Sequence, residues 1–132
     1  MIVIDGKNAI LGRLASRIAK QLLSGESISI VNAEKIIITG SPQSIKEKYL
    51  ARRSRGSAHH GPFFPVRPDL IVRRTVRGML PYKTNRGRGA FKRLRVYVGV
   101  PEGVDEVQKM EASIKSNYIT VGEIANALGW RE

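Results

Sequence analysis

Hydrophobic positions along the chain change period several times, and each change marks an element. Ile2-Val3-Ile4-Asp5 is a short apolar run that predicts a buried strand, after which Gly6 and Asn8 mark a turn. From about Gly12 the period becomes helical. At about 100° per residue, Leu14, Ala15, Ile18, Ala19, Leu22 and Leu23 gather on one side, with Arg13, Ser16, Arg17, Lys20 and Gln21 on the other. Gly25 is expected to stop this helix. Ser27 to Asn32 begins with alternation and ends apolar, and Lys35 to Thr39 is a β-branched run closed by Gly40, so both predict strands.

Ser41-Pro42 has serine at the N-cap and proline at the first helical position, which predicts a helix from Gln43 to about Arg53. Ser54 to Pro68 carries glycine, proline, histidine and phenylalanine with neither hydrophobic period and reads as a surface loop. A helix resumes at Pro68, with Ile71, Val72, Thr75, Val76, Met79 and Leu80 on an apolar arc and Arg73, Arg74 and Arg77 opposite. Gly78 and Pro81 close it, a Gly/Arg-rich stretch follows without a clear period, and Leu94 to Gly99 alternates as a further strand. Thr120-Val121-Gly122-Glu123 has capping-box spacing ahead of a short helix that should end at Gly129. There is no internal repeat. A chain of 132 residues is expected to form one domain over residues 1–132, since a single core is commonest at roughly 100–150 residues.

Charge changes the picture from fold to partner. The formal net charge is +12, with 42% hydrophobic residues available for a core. Residues 49–95 hold thirteen Lys/Arg against Asp69 alone, whereas residues 1–48 carry 7 − 4 = +3 and residues 96–132 carry 3 − 6 = −3. The middle therefore carries the whole excess, mostly as arginine, whose planar fork suits phosphate and base recognition. This concentration points to nucleic acid. Zinc-finger spacing, a leucine zipper and a helix-turn-helix pattern are missing from the sequence, so RNA is favoured over duplex DNA. Tyr82 and Phe91 lie between the basic residues, either to stack on unpaired bases or to join the core. The expected RNA-binding residues are Arg52, Arg53, Arg55, His59, His60, Arg73, Arg74, Arg77, Lys83, Arg86, Arg88, Lys92 and Arg93.

Other chemistry is poorly supported. Gly6 to Arg13 follows a strand and opens a helix, but it has five residues between glycines and then Arg13-Leu14, where a Walker A loop needs four and then Lys-Ser/Thr. His59-His60 has no cysteine or acidic residue near it in sequence, which disfavours a metal or an acid/base pair. No metal, cofactor or catalytic residue is expected. The chain has no cysteine, in keeping with a reducing, cytosolic setting, and its longest apolar runs are strand-sized, so no signal peptide or membrane span is expected.

Val76-Arg77-Gly78-Met79-Leu80-Pro81, five residues, Gly87-Arg88, five more and Leu94-Arg95-Val96-Tyr97-Val98-Gly99 closely resemble the signature of the universal large-subunit ribosomal protein L13 family. Asp5, Gly12-Arg13-Leu14-Ala15, Val31-Asn32-Ala33-Glu34-Lys35-Ile36 and Thr39-Gly40 resemble its N-terminal blocks, so the likeness spans about residues 2–99. It implies a three-layer α/β/α domain with a four-stranded parallel sheet, bound to large-subunit ribosomal RNA beside other ribosomal proteins in the cytoplasm. It also implies a part in subunit assembly, and no enzyme activity. The short turn at Ser24-Gly25-Glu26 and the His/Pro-rich loop at 59–68 resemble archaeal or eukaryotic-type members. Two competing readings are a messenger-RNA-binding regulator of translation, suggested by some eukaryotic relatives, and an RNA-processing enzyme, motivated only by the α/β opening and the histidine pair.

Overall fold

The structure is a computed structural model and describes residues 2–54, 65–101, 107–109 and 117–130. Its frame is a parallel sheet of four strands in the order β4-β2-β1-β5, formed by β1 (Ile2–Asp5), β2 (Ile28–Val31), β4 (Leu94–Val96) and β5 (Gln108–Lys109). A second ladder pairs β3 (Ile37–Thr39) antiparallel with β6 (Tyr118–Thr120). Helices α1 (Leu11–Leu23), α2 (Pro42–Ser54), α3 (Pro68–Gly78), α4 (Asn85–Lys92) and α5 (Val121–Leu128) complete the α/β fold. The expected α/β class and four-stranded parallel sheet are both present.

Register explains how the sheet finds its core. Ile2 pairs with Ile28 and Ile28 with Leu94, while Ile4 pairs with Ile30 and Ile30 with Val96. Paired residues of parallel strands project to one face, so these rows present a continuous aliphatic surface. It shares one hydrophobic core with Leu14, Ile18 and Leu22 of α1 and Ile71, Val72 and Val76 of α3. On the opposite face Arg95, in register with Ser29, is exposed.

The β-branched run at Lys35 to Thr39 leaves the main sheet. Asn32 adopts a left-handed conformation (φ 56°) and a 3-10 turn occupies Ala33–Lys35, which redirects the chain before β3 starts. The place on the other edge of the sheet goes to β5, whose two residues, Gln108 and Lys109, carry no hydrophobic period. The predicted capping box is present in full at α5. The Thr120 hydroxyl accepts from the Glu123 amide at 3.2 Å, the Glu123 carboxylate accepts from the Thr120 amide at 3.3 Å, and Gly129 ends the helix at φ 113°. Met79, expected on the apolar arc of α3, is 43% exposed because the helix ends at Gly78 and the chain turns before Met79 can share that face.

Candidate nucleic-acid interface

The Gly/Arg-rich stretch, which shows no clear period in the sequence, is helix α4. Two interior glycines each cost a helix about 1 kcal/mol relative to alanine, so intrinsic propensity does not explain it. Capping and close packing do. The Thr84 hydroxyl accepts from the Gly87 amide at 3.1 Å and donates to the Pro81 carbonyl at 2.7 Å. A Cβ at Gly87 would lie 2.0 Å from that same carbonyl oxygen, so glycine is what lets the helix seat against the preceding turn.

Once formed, α4 aims two of its expected RNA-binding arginines at the end of α1, Arg86 from the exposed surface and Arg93 half-buried. Arg86 donates to the Leu23 carbonyl at 3.3 Å. Arg93, the C-cap residue of α4, donates through Nη2 to the Leu22 carbonyl and through Nε to the Glu26 carbonyl. The amides of Ser24, Gly25 and Glu26 already bond the Lys20, Leu22 and Gln21 carbonyls at the end of α1, and the two guanidinium groups add donors at its negative dipole end. Arg73 is half-buried, as Arg93 is, and donates to the Leu94 carbonyl at 3.0 Å, tying α3 to β4. These three side chains act as structural ties, a role that charge counting along the sequence does not reveal. Arg88 bonds Asn85 within α4, and Lys92 is exposed.

The aromatics are bracketed by cations. Tyr82 and Phe91 pack edge to face with centroids 5.6 Å apart, the Arg77 guanidinium lies 4.3 Å from the Tyr82 ring centre, and that of Arg73 lies 4.5 Å from Phe91. Each ring thus belongs partly to the scaffold and gains a cation–π contact of about 0.5–2 kcal/mol.

Two neighbouring clefts collect five of the exposed cations, Lys48, Arg52, Arg74, Arg77 and Lys83. One, about 650 Å³, is lined by Arg74, Arg77, Gly78, Leu80, Pro81, Tyr82, Lys83 and Thr84. The other, about 460 Å³, lies between α1, α2 and α3, with Lys48, Arg52 and Arg74 among its walls and the first turn of α1 at Leu11-Gly12. Arg74 and Gly78 border both. Among the described residues, neither cleft has an acidic wall, and the N-terminal amides of α1 add positive potential to the second. Lys48 falls one residue outside the basic middle segment, but it stands four residues before Arg52 on α2, the spacing that places two side chains on one helix face. In the same cleft the Arg52 guanidinium lies 5.2 Å from the Tyr49 ring. Burial pushes the Tyr49 phenol above its usual 10.0, and the charge and hydrogen bond of Arg52 pull the other way.

Arg55, His59 and His60 lie outside the described residues, as does the side chain of Arg53. Among the described residues no three His, Cys, Asp or Glu side chains gather as a metal site. No described helix is long and apolar enough to cross a membrane.

The described residues thus form an α/β fold with two adjoining clefts whose charged lining residues are all arginine or lysine. The sequence model of the family described as Ribosomal protein L13 matches residues 1–103. The chain is 51% identical to large ribosomal subunit protein uL13 of Methanopyrus kandleri, covering 98% of this chain and 87% of that protein. It is also 51% identical to uL13 of Methanosarcina barkeri and 50% identical to that of Methanococcus maripaludis, each over 98% of both chains. The chain belongs to the ribosomal protein L13 family, which is a family of ribosomal proteins and not of enzymes.

Proposed function

We propose that the protein is a structural constituent of the large ribosomal subunit, held in the cytoplasm on large-subunit ribosomal RNA next to other ribosomal proteins. Its contribution is to fold and fix that RNA during subunit assembly. The observation that carries this reading is the pair of clefts that share Arg74, with Lys48 and Arg52 lining one, Arg77 and Lys83 the other, and no acid among the described lining residues of either. The names of the archaeal relatives supply the ribosomal setting.

Arg73, Arg86 and Arg93 serve this surface mainly by fixing α3, α4 and α1 relative to one another. Arg88 and Lys92 extend it along α4. Arg53, Arg55, His59 and His60 belong to the proposal on charge and chain position. Each lysine or arginine that meets a phosphate releases a condensed counterion, so affinity depends steeply on salt. With about six to ten phosphates engaged, affinity for a large-subunit ribosomal RNA transcript should fall roughly 10³- to 10⁵-fold between 50 and 200 mM salt. Filter binding across that range is the test, and a salt-insensitive complex contradicts the reading.

A further inference from the structure

The larger cleft has two kinds of wall. Leu80, Pro81 and Tyr82 give it an apolar side, and Arg74, Arg77 and Lys83 give it cations with no acid among the described lining residues. A duplex backbone lying across the surface needs cations but has no use for an apolar recess. At about 650 Å³ the recess falls within the roughly 300–1,000 Å³ typical of small-ligand sites. An unstacked nucleotide matches both walls at once, because its base is flat and apolar on its faces while its phosphate is anionic. RNA-binding proteins commonly hold such bases on aromatic rings or on the planes of arginine side chains. Arg77 already lies over Tyr82, 4.3 Å from the ring centre, and that stack is a preformed platform for a base.

We infer that the cleft between the end of α3 and the Pro81–Thr84 turn captures one unstacked nucleotide of the bound RNA. Its base packs against the Arg77–Tyr82 stack and Leu80, and its phosphate meets Lys83. This deepens the RNA-binding reading and rests on it. The nucleotide would come from a bulge, loop or junction, since a paired base in a helix cannot enter a recess.

Gly78 provides a test that leaves charge untouched. It borders the cleft, it is exposed at the end of α3, and a Cβ built there meets nothing within 4 Å. A leucine at this position should extend into the cleft without a backbone clash. With a large-subunit ribosomal RNA transcript as probe, Gly78→Leu is expected to weaken binding at least tenfold at fixed salt. The slope of log affinity against log salt should stay that of the parent, because no cation has been removed, and the melting temperature should not fall. Parent-like affinity in a folded Gly78→Leu protein overturns the inference.

Crosslinking keeps the inference testable if that variant folds poorly. In the unmodified protein bound to 4-thiouridine-labelled transcript, the tryptic peptide Gly78 to Lys83 should carry a crosslinked nucleotide. A complex whose crosslinks all fall on other peptides contradicts the nucleotide site and leaves RNA binding standing. Failure of the unmodified protein to bind the transcript would instead refute RNA binding itself.

Discussion

Two glycines in α4, two residues apart, have opposite reasons to be there. A Cβ at Gly87 would sit 2.0 Å from the Pro81 carbonyl oxygen, whereas one at Gly89 would have Arg93 Nη1, at 3.9 Å, as its nearest neighbour. Gly87→Ala must therefore push backbone against backbone and is expected to cost about 1–3 kcal/mol. Gly89→Ala has room, removes backbone freedom from the unfolded chain and should be neutral or stabilising by up to about 1 kcal/mol. Urea unfolding of the two variants reads this directly, and equal effects would show that the turn before α4 is not tightly packed. Tyr49 makes a different kind of residue-scale prediction. Burial raises its phenol pKa above 10.0, so above that pH the folded state holds a proton that the unfolded state has begun to lose. The stability this provides is whole below about pH 10 and is lost as pH rises through the folded value. Melting curves of the parent and of Tyr49→Phe should stay a constant distance apart from pH 7 to about 9.5, and the parent should then lose ground. Parallel curves to about pH 11.5 would contradict it.

At the scale of elements, termini decide what forms. The reciprocal bonds between Thr120 and Glu123 start α5, and the Arg86 and Arg93 guanidinium groups reinforce the backbone closure that ends α1. Thr120→Ala is expected to cost about 1 kcal/mol, the usual value of an N-cap. Arg93→Met keeps much of the aliphatic stem but removes the charged donor from the Leu22 carbonyl, which keeps its bond from the Gly25 amide, and from the Glu26 carbonyl, so a loss of about 1–3 kcal/mol is expected in the absence of RNA. Should Arg93→Met unfold like the parent while binding RNA less well, Arg93 would be a contact residue and not a tie. These termini also show what is legible in a sequence. The capping box, the Gly129 stop and the apolar faces of α1 and α3 follow from short-range spacing, so they could be read along the chain. By contrast, α4 depends on Gly87 meeting Pro81, and β5 depends on a neighbour, β1, about a hundred residues earlier in the chain. The same distinction divides the basic residues. Their concentration was visible in order, but whether a guanidinium faces outward or reaches a carbonyl at the end of α1 depends on neighbours some sixty to seventy positions away. Lys48 shows the converse, because helix geometry recruits a cation that a count along the chain leaves outside.

The whole molecule carries a charge that folding cannot neutralise. With 23 Lys/Arg against 11 Asp/Glu, more than half of the cations would lack an anionic partner even if every acid were paired. Their repulsion raises the free energy of the compact state, and it is a cost that makes sense for a protein whose partner supplies the anions. Salt should expose this cost. The Debye length shrinks from about 30 Å at 0.01 M to about 8 Å at 0.15 M, so repulsion across the basic flank is largely screened over that interval. The melting temperature of the free protein should rise with sodium chloride across the same range in which RNA affinity falls. Lys83 and Lys92 are both exposed, so replacing both with glutamine should bring the two effects into opposition. The double variant is expected to be at least as stable as the parent at low salt, with a smaller gain from added salt. It should also bind RNA more weakly, with a salt slope reduced by up to about 0.9 for each phosphate that is no longer neutralised. Calorimetry and filter binding on the same preparations would measure both quantities. A variant that becomes less stable and keeps its affinity would mean that these cations serve the fold and that the RNA surface lies elsewhere.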